Sequence, residues 1–230
     1  MRYRALLLDM DGTLIDSSGG IVACAKEAME ELGIPIPPED TFHRFIGPPL
    51  KECFRIVAGV EDEALLDRAV ASYKAHFRDE HIAAGKLYPG WETLLPALKA
   101  QGVKLGVATL KFVGFARKTT DHFGLTPLFD AICGSVPEKT PSKEGIIREA
   151  LAEMGIDEAD ADAVLMVGDS PYDEEGAAAL PPPPTALATW GWRRARSRPT
   201  CWCTAWRSWP TTCKTVDRGA RRLSAAGALY

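Results

Sequence analysis

Ala5-Leu6-Leu7-Leu8-Asp9-Met10-Asp11-Gly12-Thr13-Leu14 is the stretch that decides how this chain reads. An apolar run over 3–8 stops abruptly at an acid and is followed by a glycine. That is the pattern of a buried strand giving way to a tight loop. Carboxylates at i and i+2 of a strand end, here Asp9 and Asp11, can point to the same side of the loop and reach one substrate. A nucleophile and an acid/base partner need that arrangement. Gly12 lets the backbone turn beneath them.

Downstream, the apolar spacing over 20–32 predicts a helix closed by Gly33 and Pro35, and the spacing over 61–79 predicts another. Residues 16–85 hold helices and no convincing strand. The pattern then changes. Helices are expected over 91–101, 114–123 and 142–154, alternating with short apolar strands over 103–109, 129–134 and 163–168. Such alternation implies right-handed parallel crossovers, hence an α/β fold with a doubly wound parallel sheet. The helical stretch reads as an inserted cap over the carboxyl ends of the strands.

Active sites of open parallel sheets form at those ends. Val167-Gly168-Asp169-Ser170-Pro171-Tyr172-Asp173 is a second apolar strand ending in acid. Mg²⁺ takes hard oxygen ligands, commonly one or two carboxylates with water and phosphate, which Asp9 and Asp169 can supply. A strand-end hydroxyl, Thr109, and a helix-start cation, Lys143, suit the charge of a transferred phosphoryl group.

The hexapeptide 9–14, Thr109, Lys143 and Gly168-Asp169 with Asp173 together resemble the four motifs of the haloacid dehalogenase superfamily. Phe45-Ile46-Gly47-Pro48-Pro49-Leu50 and Tyr88-Pro89-Gly90 resemble its phosphoglycolate phosphatase-like branch. The resemblance covers about residues 3–192. It implies a Rossmann-like core over 1–15 and 86–192 and a helical cap over 16–85. It further implies a Mg²⁺-dependent phosphatase acting on a small phosphorylated metabolite. Asp9 would attack phosphorus to form an aspartyl-phosphate. Asp11 would protonate the leaving oxygen and then deprotonate water. The metal ligands would be Asp9, the backbone carbonyl of Asp11, and Asp169, with Asp173 supporting or acting through water. Gly12, Thr13, Thr109, the backbone N–H of Leu110, and Lys143 would hold phosphate. Family members often have a small polar residue where Leu110 stands, and only a backbone contact survives that change. Dehalogenases of this fold generally lack the second aspartate, so Asp11 argues for phosphoryl transfer. A phosphosugar mutase or a nucleotide or pyrophosphate hydrolase on the same scaffold is the alternative. Flanking the 45–50 loop, His43, Arg44, Lys51 and Arg55 are candidates to meet an anionic substrate.

Bulk properties set limits. The chain has 230 residues, 46% hydrophobic and 25% charged, ordinary values for a globular protein. No apolar run reaches the ~20 residues of a membrane span. The start is too short an apolar run for a signal peptide, hence the cytoplasmic expectation. None of the six cysteines forms a C-x-x-C pair, and Cys24, Cys53 and Cys133 read as small core hydrophobes. No nucleic-acid or membrane partner is expected, and the protein is read as a monomer or homodimer.

The tail over 193–230 is anomalous. It carries nine Lys/Arg and one Asp, against 18 basic and 30 acidic residues elsewhere, and five of the six tryptophans lie from Trp190 on. Basic, Trp-rich composition is that of a nucleic-acid arm, but a reading-frame slip soon after Trp192 accounts for it better. Residues 199–213, back-translated and read one nucleotide earlier, permit Ala-Asp-Val-Leu-Val-His-Ser-Val-Glu-Glu-Leu-Ala-Asp-Tyr-Leu. The Leu-Val pair and the later Ala are forced by the Cys-Trp and Trp-Pro codons. That string is a strand, a cap and an amphipathic helix, resembling the ordinary ending of the family. A smaller disturbance is read at Pro181–Pro184, and a chain ending this way is also read as an inactive remnant. Resequencing the source gene is expected to reveal the slip. An uninterrupted frame, with an intact-protein mass that matches this tail, would end the idea. Loss of the last strand and helix would bare apolar surface and a sheet edge, so a melting temperature below that of an intact domain is expected.

Overall fold

The computed structural model describes residues 3–137, 139–181, 183 and 185–188. The tail over 193–230 and the Trp190-Gly191-Trp192 segment lie outside the described residues.

Strand β1 (Ala5–Leu8) is buried throughout and feeds a two-residue strand, β2 (Ile15–Asp16). Four helices follow: α1 (Ser18–Leu32), α2 (Leu50–Ala58), α3 (Glu63–His76) and α4 (Asp79–Ala83). A 3-10 turn over Glu39–Phe45 lies between the first two. These helices bury their apolar stripes against one another. Met29, Phe42, Phe45, Phe54, Leu66 and Tyr73 share one cluster, in which the Phe45 and Phe54 rings meet edge-on at 5.1 Å. Full burial of a side chain such as Phe54 contributes roughly 1.5–3 kcal/mol.

The chain leaves this helical unit through β3 (Lys86–Leu87), which pairs antiparallel with β2, Ile15 opposite Leu87. Helix and strand then alternate: α5 (Trp91–Ala100), β4 (Lys104–Phe112), α6 (Val113–His122), β5 (Ala131–Ser135), α7 (Lys143–Glu153), β6 (Val164–Gly168), α8 (Pro171–Ala178) and β7 (Thr185–Ala188). The main sheet has the order β5-β4-β1-β6-β7, and every pairing is parallel. Both faces are covered, as parallel sheets require. Leu6 and Leu8 pack on the side of Leu94, Leu95 and Leu98 of α5, while Ala5 and Leu7 face Ile146, Ile147 and Leu151 of α7. The doubly wound α/β reading therefore holds.

The structure departs from the sequence reading in places where local pattern is too short to register. Residue 16 lies in a strand, so the expected boundary at 15/16 falls inside β2, whereas that at 85/86 falls directly before β3. The 61–79 helix stops at His76, and Asp79 starts a new one. β4 continues past Thr109 to Phe112, with an irregular register against β5 between Ala108 and Phe112. Directly after the four prolines, 185–188 form an edge strand on β6. Cys24, Cys53 and Cys133 are buried, as expected, and burial pushes each thiol up to about 12.

Two neighbouring glycines of α1 test this packing. A Cβ on Gly20 would sit 2.7 Å from the His81 carbonyl carbon, which is backbone and cannot move aside, whereas one on Gly19 has nothing nearer than 3.9 Å. Gly20→Ala is expected to destabilise by about 1–3 kcal/mol, and Gly19→Ala to be neutral or to stabilise by up to about 1 kcal/mol. Urea midpoints of the two variants check this; equal shifts would contradict the close α1–α4 approach.

Candidate active site

The register of the sheet fixes where the polar residues meet. Leu8 is level with Val107 of β4 and with Val167 of β6, and the Asp9 amide donates to the Val167 carbonyl at 2.9 Å. Asp9 and Asp169 therefore follow the ends of two adjacent strands at the carboxyl edge of the sheet, and Thr109 lies beside them on β4, two residues beyond Val107. Met10 is fully buried, and its carbonyl accepts the amides of Thr13, Leu14 and Ile15 at 2.9–3.3 Å. Gly12 takes φ +83°, and a Cβ there would run into the Asp169 carboxyl carbon at 2.5 Å. Only glycine fits under that carboxylate.

Carboxylate oxygens of Asp9, Asp169 and Asp173 lie within 4.8 Å of one another. Lys143, at the start of α7, places its Nζ 2.6 Å from Oδ1 of both Asp9 and Asp173. The second oxygen of Asp173 caps α8, accepting from the Ser170 amide at 3.0 Å and hydroxyl at 2.7 Å. Asp173 is thus both a helix cap and a member of the acid cluster. Asp11, on the other side of the loop, accepts from the Ser17 hydroxyl at 2.5 Å and from Lys111 Nζ at 3.0 and 3.1 Å.

Four carboxylates facing two ammonium groups leave the cluster two positive charges short. Burial, the largest cause, pushes Asp9 up to about 6 and Asp169 up to about 7. Neighbouring carboxylates raise both further, while Lys143 holds Asp9 down. Hard oxygen donors converging with a deficit of positive charge fit a divalent cation such as Mg²⁺.

Beside this cluster, a cavity of about 300 Å³ opens between the strand ends and the helical unit. Asp9, Asp11, Thr109 and Leu110 line it. The 45–50 loop and Tyr73 contribute from the helical side. Gly12, Thr13, Lys143, Asp169 and Asp173 are not in its wall. The Thr13 hydroxyl is 3.4 Å from Asp169 Oδ1, so its polar contact is with the acid cluster. Of the four cationic residues flanking the loop, Lys51 reaches the wall, where Glu63 and Asp67 hold it at 2.8 and 2.6 Å. Arg55 is paired with Glu52 and Glu63, His43 bonds the Asp40 carbonyl, and Arg44 does not line the cavity. Sequence reasoning missed Lys111, whose side chain is 7% exposed and lines the cavity. Its signal is its place two residues after Thr109, where a strand that continues can present a second side chain to the same cleft.

Residues 6–180 match the family of haloacid dehalogenase-like hydrolases. The chain is 39% identical over 178 residues to a 5'-nucleotidase of Pseudomonas aeruginosa, covering 77% of this chain and 79% of that protein. It is 30% identical over 199 residues to a phosphoglycolate phosphatase of Aquifex aeolicus, covering 85% and 89%. To the tyrosine-protein kinase PtkA of Mycobacterium tuberculosis it is 35% identical over 191 residues, 83% of this chain, but it spans only 63% of the length of that relative. Among solved structures, a predicted phosphatase from Clostridium acetobutylicum is similar with a TM-score of 0.73 and 34% identity, over 81% of this chain and 84% of that one.

A stability profile tests the electrostatics. An aspartate raised on folding favours the folded state below its ordinary value of 3.8 and loses that contribution as pH climbs through its folded value. In protein freed of divalent ions, the stability of wild type relative to Asp169→Asn is expected to fall between about pH 4 and pH 7, by on the order of a few kcal/mol. Mg²⁺ at pH 7.5 should raise the melting temperature of wild type more than that of the variant. Parallel pH profiles without a magnesium difference would refute a charge-crowded cation site.

Proposed function

The chain belongs to the haloacid dehalogenase-like hydrolases, and from its site we propose that it is a Mg²⁺-dependent phosphatase of a small, phosphoglycolate-like phosphomonoester. The observation that carries the reading is the meeting of Asp9, Asp169 and Asp173 at one point, with Lys143 on Asp9 and the cavity on the open side. The phosphatase and nucleotidase relatives support the class of reaction. This reading divides the chain into a core over 1–15 and 86–192 and a cap over 16–85 that roofs the site. It treats the metabolite as soluble and places the reaction in the cytoplasm. No helix among the described residues is long and apolar enough to cross a membrane.

The proposed chemistry has two displacements. An Asp9 carboxylate oxygen attacks phosphorus, the P–O bond to the leaving group breaks, and Asp11, which enters the cycle in its protonated form, gives that oxygen its proton. Asp11, now ionised, takes a proton from water as the water oxygen attacks phosphorus of the aspartyl-phosphate. Inorganic phosphate leaves and Asp9 is regenerated. Lys143 orients Asp9 and balances charge on the phosphoryl oxygens. Buried Thr109 and the Leu110 amide hold the phosphate from the carboxyl half of β4, with the Gly12–Thr13 backbone beneath. Asp9, the Asp11 backbone carbonyl and Asp169 would hold Mg²⁺, with Asp173 supporting. When bound, the cation supplies neutralising charge and aligns the phosphoryl group with Asp9. The Ser17 hydroxyl holds Asp11 through a hydrogen bond to Oδ1.

Phosphate release from p-nitrophenyl phosphate is the direct test. Wild type with Mg²⁺ is expected to turn over and to stop when the ion is chelated. Asp9→Asn should lose at least about 10³-fold in kcat and Asp11→Asn about 10²- to 10⁴-fold. An Asp9→Asn variant with full activity would defeat the mechanism, and an isomerised product without free phosphate would redirect it to a mutase. Nucleoside monophosphates belong in the substrate panel because of the nucleotidase relative.

A further inference from the structure

We propose that Lys111 is the specificity-determining cation of the site and pairs with a carboxylate carried on the leaving group, one or two carbons from the ester oxygen. The inference rests on the phosphatase reading and deepens it by assigning the residue that selects a carboxylate-bearing substrate.

Five lysines lie in or beside the cavity, and four are otherwise placed. Lys143 sits between Asp9 and Asp173. Lys51 is 37% exposed and held by two carboxylates. Lys74 lies over the Phe112 ring at 5.2 Å, and Lys139 is exposed. Lys111 alone combines a buried stem with a place in the cavity wall next to the acid/base residue. Its amide donates to Thr109 Oγ1 at 3.3 Å, which ties it to the residue proposed to hold the phosphate. Its ammonium lies 4.9 Å from the centre of the Phe77 ring, so its surroundings are partly apolar.

An ammonium in such a place needs an anion. Among the described residues its only carboxylate partner is Asp11, both of whose oxygens it reaches. That bidentate grasp already displays the geometry for a carboxylate. An ammonium has three donors, and Asp11 occupies two of them. Asp11 must also turn an oxygen toward the ester to act, which loosens its hold on Lys111. A carboxylate on the leaving group would enter the cavity beside Thr109 and supply the missing charge as Asp11 engages the ester. A neutral leaving group leaves the buried ammonium underpaired, so discrimination follows from charge rather than size.

The test compares 2-phosphoglycolate with ethyl phosphate, which replaces the carboxylate by a methyl group, and with phosphoethanolamine, which carries a cation. The readout is the ratio of kcat/KM values, in which any loss common to all substrates through Asp11 cancels. Wild type is expected to prefer 2-phosphoglycolate over ethyl phosphate by at least about tenfold. Lys111→Met should bring that ratio close to one, mainly through KM for 2-phosphoglycolate. Lys111→Arg should restore part of it, and Lys111→Glu should shift preference toward phosphoethanolamine. An unchanged ratio in Lys111→Met overturns the inference. Should the Met and Glu variants fail to fold, wild type that hydrolyses ethyl phosphate as efficiently as 2-phosphoglycolate overturns it equally. Wild type that releases phosphate from none of the three esters, nor from p-nitrophenyl phosphate, rejects the phosphatase reading itself.

Discussion

Asp9 and Asp169 end neighbouring parallel strands in register, so their carboxylates are forced together by the same hydrogen bonds that build the centre of the sheet. Asp173 is added by the first turn of α8, and the cluster carries more negative charge than Lys143 can balance. Folding therefore works against electrostatics at this point. The compensation is a fully apolar sheet centre, with β1 buried along its whole length and packed on both faces. A protein of marginal stability keeps such a cluster only where the rest of the fold over-determines it.

The cavity lies between two hydrophobic units with separate cores. The sheet supplies acids and hydroxyl at strand ends, and the helical unit supplies the opposite wall through the 45–50 loop and an aromatic group around Tyr73 and Phe77. Phe77 and Phe115, with ring centres 4.4 Å apart, join the helical unit to α6. Contacts of this kind let the helical wall of the cavity change while the strand ends stay fixed.

Much of this was legible in the sequence because the decisive signals are local. The run from Leu6 to Asp11 encodes strand, turn and paired carboxylates within six residues, and Gly168-Asp169 repeats the strand-to-acid change. Parallel topology followed from alternation of period, and the site from the rule that such sheets act at their carboxyl ends. What escaped were features without local period. β2 and β3 have two residues each and exist only because they find one another. Lys111 reads as an ordinary polar end of a strand, and only the packing of Phe77 and Asp11 around it reveals a buried cation. Proximity in sequence to the 45–50 loop points to Lys51 and Arg55, whereas Glu52 of α2 and Glu63 and Asp67 of α3 claim them.

The tiny β2–β3 ribbon has a broader implication. Entry to and exit from the helical unit lie side by side, Asp16 opposite Lys86, so residues 17–85 hang on the sheet as though they were the tip of a hairpin. A lineage can lengthen, shorten or replace that appendage without re-threading a single strand. Invention at the mouth of such an enzyme is thereby uncoupled from the inheritance of its chemistry.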